Sequence, residues 1–200
     1  MFRGLAGAWV LLSTGGLAAG LSGEVTVVGN VTAARCEVIA PNDGIYDLGR
    51  IAVAEKAAGP TALPPVTRTW RVQCDNPTYL AVVPQDNRAG AARGAGSAEF
   101  GLGDERGKAL GYFRLGVSRV LIDQAAVAAQ TLGQPMSGAG ITPLLAGTRT
   151  RWLMSDNTAR AGQTFAADIT VFPWLTMPER AVTDRVVFDG SVTLNFIFGL

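Results

Sequence analysis

Ser191-Val192-Thr193-Leu194-Asn195-Phe196-Ile197-Phe198-Gly199-Leu200 closes the chain, and every even position in it is large and apolar. Side chains on a β-strand alternate between its two faces, so Val192, Leu194, Phe196, Phe198 and Leu200 share one face. Such a strand has two readings. It is either the last core strand of a complete sandwich, or an edge whose apolar row and unpaired N–H and C=O groups need another strand to cover them. The same period recurs near the other end, in Gly23-Glu24-Val25-Thr26-Val27-Val28-Gly29-Asn30-Val31, where Val25, Val27, Gly29 and Val31 form one series.

Between these ends, short β-rich runs recur between Gly, Pro, Asn and Asp clusters, which predicts an all-β sandwich. Ala34 to Ile39 carries Cys36 on a strand, and Ile45 to Ile51 is a further candidate. Prolines 60, 64 and 65 break pairing and place a loop there. Val66, Trp70, Val72 and Cys74 alternate against Thr67, Thr69, Arg71 and Gln73, with Arg68 the exception in the apolar series; Trp70 is expected near the cysteine. Tyr79 to Val83 reads as a separate strand ended by Pro84, and Asp86 to Ser97 as a Gly/Ala-rich loop. Gly111 to Val120 and Phe165 to Val171 are later strands, and the Ala-rich Asp123 to Gln130 suggests a helical turn. No fixed repeat is present, which argues against a solenoid.

Met1-Phe2-Arg3 and the uncharged run over residues 4–17 have the basic start and short apolar middle of a secretory signal. Small residues at Ala18 and Gly20 set the expected cleavage so that residues 1–20 are removed and the mature chain starts near Leu21, with cuts after Ala18 or Ala19 as alternatives. In an oxidising compartment the two cysteines, Cys36 and Cys74, are most simply a disulfide. Closing that loop contributes about 4 kcal/mol in the chain-entropy model. A zinc or redox site would need further ligands or a C-x-x-C spacing.

The 200 residues are 48% hydrophobic and 16% charged, enough for one domain with a core. Seventeen Lys and Arg against sixteen Asp and Glu make no field of one sign to hold nucleic acid or an anionic membrane. With no histidine, Ser-His-Asp catalysis, His-ligated zinc and His-based pH switching are excluded. No metal, cofactor or catalytic group is expected. Asp104-Glu105 is an acidic pair, but neighbours on a strand point to opposite faces, which suits general acid/base work poorly. Arg149 and Arg151 precede Trp152, and Trp174 follows Pro173; exposed, such residues could stack on a sugar or host ligand, whereas buried they are core. Asn30-Val31-Thr32 matches a glycosylation sequon.

Taken in order, the exported start, the alternating segment before Cys36, Asp47-Leu48-Gly49-Arg50-Ile51, the partner Cys74 and the alternating tail resemble the subunits of chaperone-usher pili. Asp86-Asn87-Arg88, Phe100-Gly101-Leu102-Gly103 and Asp189-Gly190-Ser191-Val192-Thr193-Leu194 are similar to a divergent fimbrial-like branch of that family. The resemblance implies an immunoglobulin-like β-sandwich over residues 36–200 that lacks its final strand, preceded over residues 21–35 by a donor-strand extension. It implies Val25, Val27, Gly29 and Val31 as inserted side chains and Val192, Leu194, Phe196 and Phe198 as the acceptor groove, with the Leu200 carboxylate as the chaperone anchor. Pilins commonly put an aromatic next to last, and here Gly199 holds that place. The partners implied are a periplasmic chaperone, an outer-membrane usher and other pilus subunits, at the cell surface. The rival expectation is an exported ligand-binding module, a tip adhesin or lectin-like sandwich, with Trp152 and Trp174 as its contacts.

Overall fold

The computed structural model describes residues 33–51, 59–88, 97–105, 108–134, 140–176 and 188–199. The signal segment 1–20, the sequon, Val25, Val27, Gly29, Val31 and Leu200 lie outside these residues. Thirteen strands are present among the described residues: β1 Cys36–Ile39, β2 Thr61–Ala62, β3 Val66–Asp86, β4 Phe100–Gly101, β5 Asp104–Glu105, β6 Lys108–Ala109, β7 Gly111–Ile122, β8 Ala125–Ala126, β9 Ala128–Thr131, β10 Thr142–Leu144, β11 Thr150–Leu153, β12 Gly162–Leu175 and β13 Val192–Gly199. The fold is all-β, as the sequence predicts.

β3 organises it. Its first half pairs with β1 and β12, and β12 leads on through β7 to β10. Its second half pairs with β13 and β11, and β11 leads to β9. One sheet therefore curls over on itself at the corner around Asp75–Thr78, consistent with a β-sandwich. The inward residues of both halves, among them Val72, Val82, Phe113, Leu115, Trp152 and Ile169, form one buried cluster. β5 and β6 make a separate two-stranded hairpin, with Asp104 and Glu105 consecutive along β5.

Three local expectations are corrected. First, Tyr79–Val83 is no separate strand ended by Pro84: β3 runs unbroken from Val66 to Asp86. Pro84 is tolerated because its carbonyl accepts the Gly147 N–H at 2.7 Å on the side away from β13. The missing N–H of Pro84 faces that same side, past the last β11 pair, Thr150–Val82, where no ladder donor is required.

Second, Ile45 to Ile51 joins no ladder. A short turn at Pro41–Gly44, with Asn42 and Asp43 left-handed, is closed by the Ile45 N–H to the Asn42 carbonyl at 2.8 Å, and the Asp47 carboxylate takes the Gly49 N–H at 2.8 Å. These local bonds satisfy the backbone in place of a strand partner. Third, Asp123 to Gln130 is no helical turn. Asp123 and Gln124 hold φ of 47° and 68° and make a two-residue hairpin between β7 and β8, after which β9 follows. Pairing and burial override the helix preference of the alanines.

One bulge shapes the outer face. Between the pairs Asp168–Ser118 and Ala166–Leu121, β7 carries an extra residue, Arg119, at φ 45°. It turns the Arg119 Nε to the buried Asp168 carboxylate at 2.6 Å, and the Thr69 hydroxyl donates to the other oxygen at 2.6 Å. Burial raises the Asp168 pKa, but the Arg119 and Thr69 bonds outweigh it and hold the carboxyl below its ordinary range. Asp123 is lowered too, first by the backbone N–H of Thr164 and further by that of Gln163. Groups with depressed folded pKa stabilise the protein above the unfolded value, near 3.9, and lose that contribution as pH falls through the folded one. Melting temperature is therefore expected to fall as pH is taken from 5 towards 2, and the fall should be smaller in Asp168→Asn; an equal slope in that variant would contradict the assignment.

Candidate functional site

β13 pairs with β3 over its whole length, from Val192–Asp86 to Gly199–Tyr79, and has no other ladder partner among the described residues. Val192, Leu194, Phe196 and Phe198 point inward, as the alternation predicts, yet all four stay only half-buried, while Thr193, Asn195 and Ile197 are exposed. Inward residues of the central strands behave differently: Phe113, Leu115 and Val117 on β7 and Phe165, Ile169 and Val171 on β12 are buried. The difference lies in position, because among the described residues β13 is an edge, paired with β3 alone.

The facing wall comes from the first half of β3. Trp70 meets Phe196 with ring centroids 6.1 Å apart and a tilt of 31°. The Trp70 Nε1 donates to the Tyr46 hydroxyl at 2.9 Å, and that hydroxyl donates onward to the Ile169 carbonyl at 3.1 Å. Burial raises the Tyr46 pKa against the lowering effect of the Trp70 bond, so the phenol stays protonated and keeps its donor. Trp70 thus reaches Tyr46 and Phe196, and Cys74 lies two pleats further along the same face. β1, whose one ladder partner among the described residues is β3, is another edge and carries Val38 and Ile39 exposed.

Both ends of β13 are fastened. At its C-terminal end the Thr78 hydroxyl donates to the Gly199 carbonyl at 2.7 Å. At the other end three separated motifs converge. The Asp86 carboxylate accepts the Gly101 N–H at 2.9 Å, the Asn87 N–H donates to the Ser191 carbonyl at 3.0 Å, and Arg88 pairs with Asp189. The Asn87 amide also donates to the hydroxyls of Ser191 and Thr193 at 3.0 Å each. Gly190 fits there because a Cβ would run into Phe113 and the Gly101 carbonyl. This clasp holds the start of the half-covered strand in place.

Of the other sequence candidates, Cys36 and Cys74 are register partners joined by the expected disulfide. Trp152 is 5% exposed inside the core, which is the buried alternative of the sequence reading and not the ligand-contact one. Trp174 lies half-buried on the outer face of the sheet, stacked on Tyr112 at 5.4 Å with the Arg114 guanidinium 5.1 Å from its ring. The structure does not bring the two tryptophans together as one site. Tyr46 was not legible as a site residue, since it sits in a loop without periodicity. Arg68 left one trace, as the single charge in an inward apolar series. No protein-family model matches this sequence, and no characterised protein matches it either.

Proposed function

We propose that this chain is a structural subunit of a surface pilus, an immunoglobulin-like sandwich short of its last strand and completed by a strand from another molecule. The observation that carries this reading is the half-covered row Val192, Leu194, Phe196 and Phe198 on a strand with one ladder partner among the described residues. Left open in water, such an edge is a template for strand addition. A second copy of the chain offers a matching strand in its own sequence, with Val25, Val27 and Val31 at the alternating positions. At about 1.5 to 3 kcal/mol for each large apolar side chain fully buried, these knobs contribute several kcal/mol before ladder hydrogen bonds are counted.

Before such exchange, a periplasmic chaperone would lend the strand, with the Leu200 carboxylate as its anchor, and an outer-membrane usher would receive the subunit. Resemblance in motif order supports this assignment. A second reading, an exported ligand-binding module, draws its support from the half-exposed Trp174–Tyr112–Arg114 group on the outer face.

The test adds a synthetic peptide spanning Gly23 to Val31 to the processed full chain. A peptide that binds the folded state alone stabilises it by about 2.7 kcal/mol at a hundredfold excess over Kd, which raises Tm by about 5 to 10 °C. A chain that melts cooperatively at a temperature indifferent to the peptide would overturn the reading.

A further inference from the structure

Two alternating series in this chain each hold one exception. On β3 the inward positions Val66, Arg68, Trp70, Val72 and Cys74 are apolar apart from Arg68, which is half-buried while its neighbours Thr67 and Thr69 are exposed. Arg68 lies close enough to the Tyr46 phenol to act on it electrostatically, and no ion pair engages Arg68 among the described residues. In residues 24–31 the odd positions are valine apart from Gly29.

The level of Arg68 along β13 follows from the contact between Trp70 and Phe196. Both strands lead away from the corner where Thr78 holds Gly199, so carrying the Trp70–Phe196 contact one pleat further out at the same step sets Arg68 at the level of Leu194, and Val66 at that of Val192. A strand laid beside β13 in the antiparallel sense of its ladder with β3, four knobs against four inward residues, sets Val25 by Phe198 and Val27 by Phe196. Gly29 then falls by Leu194 and Val31 by Val192. In that register the two exceptions share one level, Gly29 with Arg68.

We propose that Arg68 selects among the strands that dock beside β13, accepting glycine or an acidic side chain at the third knob and rejecting a large apolar one. This rests on the strand-docking reading above and names the partner that docking favours: a strand of alternating apolar knobs whose third knob is small or anionic. Covering the groove takes the guanidinium out of bulk water. A large apolar knob over it would leave a charge desolvated without a partner, which is costly. Glycine leaves room for the guanidinium to keep water or a backbone carbonyl of the incoming strand. A carboxylate there would pair with it, and Arg suits a carboxylate through its planar fork of donors.

The test measures dissociation of three labelled peptides, Gly23 to Val31 unchanged, with Gly29→Asp and with Gly29→Leu, from the full chain and from its Arg68→Leu and Arg68→Gln variants. With Arg68 present, the Asp peptide is expected to leave slowest and the Leu peptide fastest, each step about tenfold, a size typical of charge pairs at interfaces. The Asp advantage should shrink as salt is raised. In Arg68→Leu the order reverses, and Arg68→Gln, which keeps a polar side chain of similar length, loses the Asp advantage. The same ranking on all three proteins overturns the role of Arg68 and leaves strand docking standing. Failure of every peptide to bind any of the proteins overturns both.

Discussion

On the proposed pilus reading, a chain carrying Val25→Asp and Val27→Asp together is expected to form no homopolymer while still binding a strand-lending chaperone. The two substitutions remove two of the three apolar knobs offered to a neighbouring molecule and place charges where Phe198 and Phe196 would receive them. Losing about 1.5 to 3 kcal/mol per valine, with a carboxylate's desolvation added to each, exceeds what the remaining Val31 can supply. The acceptor row on β13 is untouched, so binding of a lent strand is preserved. The measurement is the oligomer ladder of the exported chain on electrophoresis without boiling, beside co-purification of the chaperone. Undiminished polymer would remove the second copy's extension as the donor.

Removing the disulfide is expected to cost about 4 kcal/mol, the chain-entropy value for a loop of this length. Cys36 and Cys74 lie 38 positions apart and face each other in the β1–β3 register. β1 is only four residues long and has one ladder partner among the described residues, so the bridge is the one covalent tie beside its four-pair ladder and the Arg35–Asp75 bonds. The check is denaturant unfolding of the Cys36→Ala, Cys74→Ala double variant against the oxidised chain, read as a lower midpoint at unchanged slope. A loss under about 1 kcal/mol would show that β1 holds by its backbone ladder alone.

Much of this arrangement was legible in the residues. Alternation in Val192–Gly199 marked both the strand and the face that the structure turns inward, and the presence of just two cysteines in the sequence marked their pairing. What failed has physical reasons. Pro84 reads as a terminator only when the side its N–H would face is unknown, and that side depends on where β11 ends. The alanines of 123–130 carry a helix preference of tenths of a kcal/mol each, too weak to resist pairing with β7 and β11. Trp152 and Trp174 are alike as letters; only the parity of their strands puts one in the core and one outside.

The candidate site was partly legible. Its β13 wall follows from period two, whereas the meeting of Trp70, Tyr46 and Phe196 depends on how the sheet curls. The clasp joins residues about a hundred positions apart, Asn87 with Ser191 and Arg88 with Asp189, and no local pattern announces it.

Because a single continuous ribbon, β3, is the spine of both layers, neither layer has an independent existence. Pairing lost on one side of the corner is carried by the same strand into the other, so the described strands are expected to melt in one cooperative transition rather than layer by layer.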